Sequence, residues 1–293
     1  MTYPDGLRTQ IEGYLEQLRF SDETLTERLV EAMRYSLLAG GKRIRPVLAL
    51  ATARAIGHDE RELLPFAAAI ELIHTYSLIH DDLPAMDDDS LRRGRPTCHV
   101  VFGDDVAILA GDGLYAEAFR HVLTRQQGRP EHILAAVGEL AAATAVDGMV
   151  GGQYVDVAGD TDESLDAAHT LRRTHELKTG RLIGASVECV LLLAGMSPTT
   201  TTDYRDFAAE LGVLFQIVDD ILDVTGTDAA LGKPRGSDER HGKRTYVTEF
   251  GLEGARDLAL RSHREARASL ASAAPDGAPE LQQITDFIAT RSS

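Results

Sequence analysis

The chain has 293 residues, 43% of them hydrophobic, which is apolar material for one large core or two ordinary ones. Its 46 acidic residues outweigh 30 basic ones, for a formal net charge of −16. That balance excludes nucleic acid and anionic membrane surfaces as principal partners, so an anionic substrate has to be captured by local cations or metal ions. Residues 1–10 contain no apolar stretch of the kind found in a secretory signal. No run nears 18 uninterrupted apolar residues, and residues 187–196, among the longest, include Glu188, so no stable membrane insertion is expected. Cys98 and Cys189 form no close-spaced metal or redox motif and fit a reducing, cytoplasmic setting.

Strand signals are scarce, and apolar residues recur at three and four. Leu25, Leu29, Val30, Met33, Leu37 and Leu38 form one such stripe. The pattern predicts helices over about 7–20, 24–39, 44–57, 60–80, 105–126, 131–150, 163–178, 181–195, 202–224, 252–272 and 279–290. Gly40-Gly41, Gly57, Gly128 with Pro130, Gly151-Gly152, Gly195 with Pro198 and the Gly/Pro-rich 232–236 punctuate them. With no dividing linker and no repeat, residues 1–293 are expected to form a single all-α domain, a large helical bundle.

Between the second and third helices, Lys42, Arg43 and Arg45 follow two glycines and precede Pro46, which suits a first helical turn. The cluster fits an anion cradle equally as well as a set of charges favourable to the preceding helix end. The helix over 60–80 carries Glu71, His74, Tyr76 and Ser77 toward five aspartates in nine residues, at 81, 82 and 87–89. Carboxylates so close oppose one another's ionisation unless a cation sits among them, and all-oxygen ligands suit a hard ion such as Mg2+. Asp81 and Asp87 are six apart, about 240° around a straight helix, but Pro84 breaks it and lets Asp87 fold back. A second cluster, Asp219-Asp220-Ile221-Leu222-Asp223, puts Asp219 and Asp223 about 40° apart on one helix face. Arg92 and Arg93 follow the first cluster, and Lys178, Thr179, Gln216 and Lys233 are scattered later. Two carboxylate sites facing several separated cations suit departure of a diphosphate into a dry, apolar cavity.

The motifs Gly-Gly-Lys-Arg-Ile-Arg-Pro (40–46), His-Asp-Asp-Leu-Pro-Ala-Met-Asp-Asp-Asp (80–89), Leu-Arg-Arg-Gly-Arg-Pro-Thr-Cys-His (91–99), Gly-Gly-Gln-Tyr-Val-Asp (151–156), Lys-Thr-Gly (178–180), Phe-Gln-Ile-Val-Asp-Asp-Ile-Leu-Asp (215–223) and Gly-Lys…Asp…Lys-Arg-Thr-Tyr (232–246) occur in this order. Together they resemble the all-trans polyprenyl diphosphate synthases, closest to bacterial-type farnesyl diphosphate synthases. The resemblance implies the isoprenoid synthase fold, a helical bundle around a central cavity, and a homodimer. It implies Mg2+, three ions per active site, held by Asp81, Asp87 and Asp219, with Asp82, Asp220 and Asp223 supporting. It assigns Lys42, Arg45, His74 and Arg93 to the diphosphate of isopentenyl diphosphate. Arg92, Lys178, Thr179, Gln216 and Lys233 go to the allylic diphosphate, with Lys178 also counted as catalytic beside the three aspartates. Ser90 and Val247 depart from the family pattern outside these positions, and Arg291 is read as a solvated tail residue, with closure over the isopentenyl site the alternative.

Tyr76 lies five residues before Asp81, roughly 7.5 Å along the helix axis. Read alone it is ordinary core. In this family an aromatic residue there, followed by a small one such as Ser77, resembles a fifteen-carbon stop. The resemblance therefore points to farnesyl diphosphate, made from dimethylallyl and geranyl primers, with geranylgeranyl diphosphate the alternative. A terpene cyclase is opposed by the intact 219–223 cluster. A di-iron bundle needs two Glu-x-x-His pairs, and Glu71 with His74 is the one convincing pair.

Overall fold

A computed structural model describes residues 3–158, 166–197, 199, 201–226 and 243–291. The helices are α1 (Asp5–Glu16), α2 (Glu27–Leu37), α3 (Ile44–Ala55), α4 (Leu64–Asp81), α5 (Cys98–Phe102), α6 (Asp104–Arg125), α7 (Pro130–Thr144), α8 (Met149–Ala158), α9 (Ala167–His175), α10 (Arg181–Leu193), α11 (Thr202–Thr225), α12 (Tyr246–Ala273) and α13 (Pro279–Thr290). The all-α expectation holds. A single two-residue hairpin, β1 (Leu91–Arg92) with β2 (Arg95–Pro96), is the sheet among the described residues. Its central residues Arg93 and Gly94 both have positive φ, 53° and 72°, as a tight two-residue hairpin requires.

α4 is buried on nearly every side. Phe66, the alanines 67–69, Ile70, Leu72 and Ile73 are all 0% exposed, which marks a core helix and not an amphipathic surface one. Glu60–Asp81 reaches the length and hydropathy of a membrane span, but 61% of that window is buried within the protein; Pro130–Ala158 reaches them too. One contiguous apolar cluster runs from Leu7 to Ile288 around α4, drawing in α3, α6, α10, α11 and α13.

Several boundaries differ from the sequence reading: the helix expected over 7–20 ends at Glu16, and the one expected over 131–150 ends at Thr144, with α8 a separate helix after it. Gly151 and Gly152, read as punctuation, sit inside α8. A Cβ on Gly152 would lie 2.2 Å from the backbone nitrogen of Lys178, so the glycine serves close approach of α8 to that turn. The helix expected over 252–272 begins earlier, at Tyr246, and breaks at Gly251 (φ 70°, ψ 165°). A capping box between Thr245 and Thr248 supplies its early start.

Candidate active site

The cavity, about 670 Å3, is walled by α4, α6, α8 and α11, with residues 243–245 also in its lining. Asp81, Asp87, Asp219, Asp220 and Asp223 all line it, as do Arg45, His74, Arg92, Arg93, Lys178, Thr179 and Gln216. The expected fold-back of the first acidic cluster is present. α4 stops at Asp81, and the backbone N–H of Asp87 donates to the carbonyl of Asp81 at 2.9 Å. Leu83, which precedes Pro84, anchors the turn by accepting from Met86 (2.8 Å) and Asp88 (3.1 Å). Lys233 lies outside the described residues.

Not every aspartate is available to a cation. Asp82 grips Arg92, with Nε at 2.7 Å and 2.9 Å from its two oxygens. Asp220 accepts from the Gln216 amide and from the backbone N–H of Tyr246, both at 2.7 Å. It thereby ties α11 to the start of α12, and Thr179 extends the chain by donating to Gln216 at 3.0 Å. Asp81 is different: burial pushes its carboxyl from 3.8 up to about 6. Asp81 shares the cavity lining with Asp87 and Asp219, and all-oxygen side chains of this kind are the donors a hard cation takes. Among the described residues no three such side chains gather tightly enough to close a metal shell alone. Mg2+ fits this arrangement because it retains waters and takes further ligands from phosphate.

Lys178 and Thr179 reach the cavity from a single wide turn, Glu176–Gly180, whose five residues form a π-type bulge between α9 and α10. Gly212 of α11 packs against it, a Cβ there falling 3.0 Å from the Cα of Gly180. Lys178 Nζ lies 2.6 Å from Asp156. Lys243 bridges Asp156 (3.3 Å) and Asp87 (2.8 Å). Burial pushes the Asp156 carboxyl up, but the two lysines outweigh it and hold the group below the usual carboxylate range. Sequence reasoning gave no role to Asp156, Lys243 or the cavity-lining His175 and Gln153. Asp156 and Lys243 sit in motifs that carried the family resemblance, but neither belongs to a doublet that announces chemistry.

A second, cationic corner adjoins. Burial lowers Arg45 to about 10 and takes His74 well below 6.5, with the Arg45 charge adding to the histidine shift. Lys42 is also lowered, by burial and then by Arg291. Arg93 donates to the Gly40 carbonyl and fills the space where a Cβ on Gly41 would clash. Phe215 stacks beneath both Arg45 (5.7 Å) and Arg291 (4.2 Å). Lys42 itself stands outside the cavity lining, its ammonium 5.0 Å from the Phe287 centroid. Arg291 is not a solvated tail residue: its side chain is 7% exposed and donates to Asp219 at 3.1 Å and to the Phe215 carbonyl at 3.3 Å. α13 packs beside α3 and α11, which delivers its C-terminal end to the site. Glu71 does not face His74 as a metal pair; it is bonded to Arg43 at 2.5 Å, both side chains almost wholly buried. Cations crowded to this degree favour a multiply charged anion.

Tyr76 lines the cavity from α4, five residues before Asp81, its ring edge-on to His80 (5.1 Å) and Tyr115 (5.0 Å). Ser77, also in the lining, turns its hydroxyl back to the His74 carbonyl at 2.9 Å.

The polyprenyl synthetase family model matches residues 26–274. The chain is 45% identical over 290 residues to a chloroplastic geranylgeranyl pyrophosphate synthase of Catharanthus roseus, covering 99% of this chain and 80% of that one. It is 43% identical over 293 residues to a farnesyl diphosphate synthase of Geobacillus stearothermophilus, covering 96% and 98%. Its fold is similar to that of a geranyltransferase from Helicobacter pylori solved with magnesium and isoprenyl diphosphate, with a TM-score of 0.85, 31% identity and coverage of 98% and 97%.

Proposed function

The chain belongs to the polyprenyl synthetase family and is a trans-prenyltransferase, and on that premise we propose that it condenses isopentenyl diphosphate with dimethylallyl and then geranyl diphosphate to give (2E,6E)-farnesyl diphosphate. The observation that carries the chain length is Tyr76, a braced aromatic ring in the cavity wall one and a half turns before Asp81.

In this reading Asp81, Asp87 and Asp219 hold Mg2+, three ions to a site. The ions supply positive charge to the diphosphate as it leaves. Arg92, Lys178, Thr179, Gln216 and Lys233 bind and orient that diphosphate. Lys178 and Lys243 add charge where the leaving oxygens collect it. Lys42, Arg45, His74 and Arg93 seat the isopentenyl diphosphate. His74, held neutral by burial, contributes hydrogen bonding without adding a further charge. The allylic carbon–oxygen bond breaks, the isopentenyl double bond attacks the allylic carbon, and a proton leaves, most simply to the released diphosphate. The apolar part of the wall, Leu83, Ile108, Met149 and Leu222 among it, keeps water from the carbocation.

We read residues 1–293 as one synthase unit acting as a homodimer in a soluble, cytoplasmic setting. Large apolar side chains exposed on α6–α8, such as Leu109, Leu134, Val146 and Tyr154, support the dimer. Two buried free cysteines support a reducing compartment. Geranylgeranyl diphosphate is the competing product, favoured by the identity to the Catharanthus roseus enzyme. Incubation with isopentenyl diphosphate, Mg2+ and primers of increasing length decides by product mass: fifteen carbons from dimethylallyl and geranyl primers, with little elongation of farnesyl diphosphate, is expected. Efficient elongation of farnesyl diphosphate to twenty carbons would overturn the chain length.

A further inference from the structure

The loop before α3 holds an unusual backbone. Gly40, Gly41 and Arg43 have φ of 81°, 123° and 54°, and the arginine sits there at a cost that surrounding contacts have to offset. Three side chains tether the loop from outside its own backbone. Arg43 reaches the Leu37 carbonyl (2.7 Å) and Glu71. Arg93 donates to the Gly40 carbonyl. The Tyr3 hydroxyl donates to the Lys42 carbonyl at 2.7 Å. Tyr3 does more than this, because its ring lies 4.8 Å from that of Phe287, the same ring that underlies the Lys42 ammonium. The first described residue and the last helix thus meet on Lys42, one through its backbone and the other through its side chain. Burial, and then the charge of Glu71, keep the Tyr3 hydroxyl protonated and therefore a donor. Neither Tyr3 nor Phe287 falls within residues 26–274, where the family model matches.

We propose that Tyr3 and Phe287 are positioning residues that hold Lys42 for the diphosphate of isopentenyl diphosphate, and so govern the affinity for that substrate alone. The inference rests on the assignment of Lys42 under the proposed function. A lysine side chain loses rotamer freedom when it is fixed on a ligand, and a fixed backbone with a ring beneath the ammonium removes part of that loss beforehand.

Steady-state kinetics of the full chain with Mg2+, geranyl diphosphate and isopentenyl diphosphate test this in Tyr3→Phe, Phe287→Leu and Lys42→Ala. Tyr3→Phe keeps the ring and removes only the donor. Each of the first two is expected to raise KM for isopentenyl diphosphate about three- to ten-fold, the range of one net hydrogen bond or cation–π contact. KM for geranyl diphosphate and kcat stay within about two-fold, the pattern of lost uniform binding of one substrate. Tyr3→Phe adds nothing further in a Lys42→Ala background, because the two act through one group. Equal weakening of both substrates would mean general loosening and overturn the proposal. So would an unchanged Tyr3→Phe enzyme where Lys42→Ala is impaired. If Lys42→Ala itself leaves the isopentenyl diphosphate KM unchanged, the assignment beneath the inference falls, and the inference with it.

Discussion

Glu71 is the counter-charge of the cationic corner, and its removal tests the electrostatic argument directly. Its side chain is 1% exposed, its partner Arg43 is 2% exposed, and they meet at 2.5 Å. The same carboxylate also acts on Arg45 and Arg93, in each case supporting the charged form. Glu71→Gln conserves shape but leaves the Arg43 guanidinium buried without an opposite charge. Breaking one side of a buried pair costs about 3–5 kcal/mol. For a chain of this length that corresponds to a fall in Tm of roughly 6–10 °C. The loop that Arg43 holds also carries Lys42 and leads into Arg45, so KM for isopentenyl diphosphate is expected to rise alongside. Thermal or urea unfolding without ligands measures the first effect, and kinetics the second. The double variant Arg43→Met with Glu71→Leu is expected to recover most of the stability, because both charges have gone. A loss below about 1 kcal/mol in Glu71→Gln, the value of a neutral hydrogen bond, would refute the view that this charge holds the corner together.

Asp81 gives a pH prediction. Its folded-state value, about 6, lies above the ordinary 3.8, so the folded protein binds that proton more tightly than the unfolded chain does. Its favourable contribution is therefore complete below about pH 4 and is lost as the pH rises through 6. Metal-free Asp81→Asn should then be more stable than the parent at pH 7 and indistinguishable at pH 4 by differential scanning calorimetry, while losing most turnover; a destabilised variant at pH 7 would contradict the burial argument. Tyr76→Ala should shift products toward twenty carbons and Ser77→Phe toward ten, read by mass spectrometry, and an unchanged spectrum in both would put the length-determining residue elsewhere. Arg45→Ala should raise KM for isopentenyl diphosphate at least ten-fold, about 1.4 kcal/mol or more, with a much smaller effect on geranyl diphosphate; equal effects would show that the cations are wrongly partitioned.

The sequence by itself determined the all-α architecture, because its apolar spacing of three and four is a local signal that survives in the final packing. It also determined the turn that returns Asp87 to Asp81, because Pro84 forbids a straight helix whatever surrounds it. The acidic doublets and cation clusters stood out by composition alone. Tertiary structure decided how those charges divide. Asp82 and Asp220 look like Asp81 and Asp219 in the sequence, yet Asp82 is engaged by Arg92, Asp220 by Gln216 and the start of α12, and Asp219 by Arg291. Asp156 and Lys243 are 87 residues apart and become one network only because α8 and the segment before α12 close over the same cavity. Gly151 and Gly152 read as a break because a missing side chain carries no information about its neighbour, and only the fold reveals the Lys178 turn pressed against it. Arg291 reads as tail for the same reason. What buries it is Phe215 and Asp219, about 70 residues earlier, and contacts at that separation leave no periodicity in a chain.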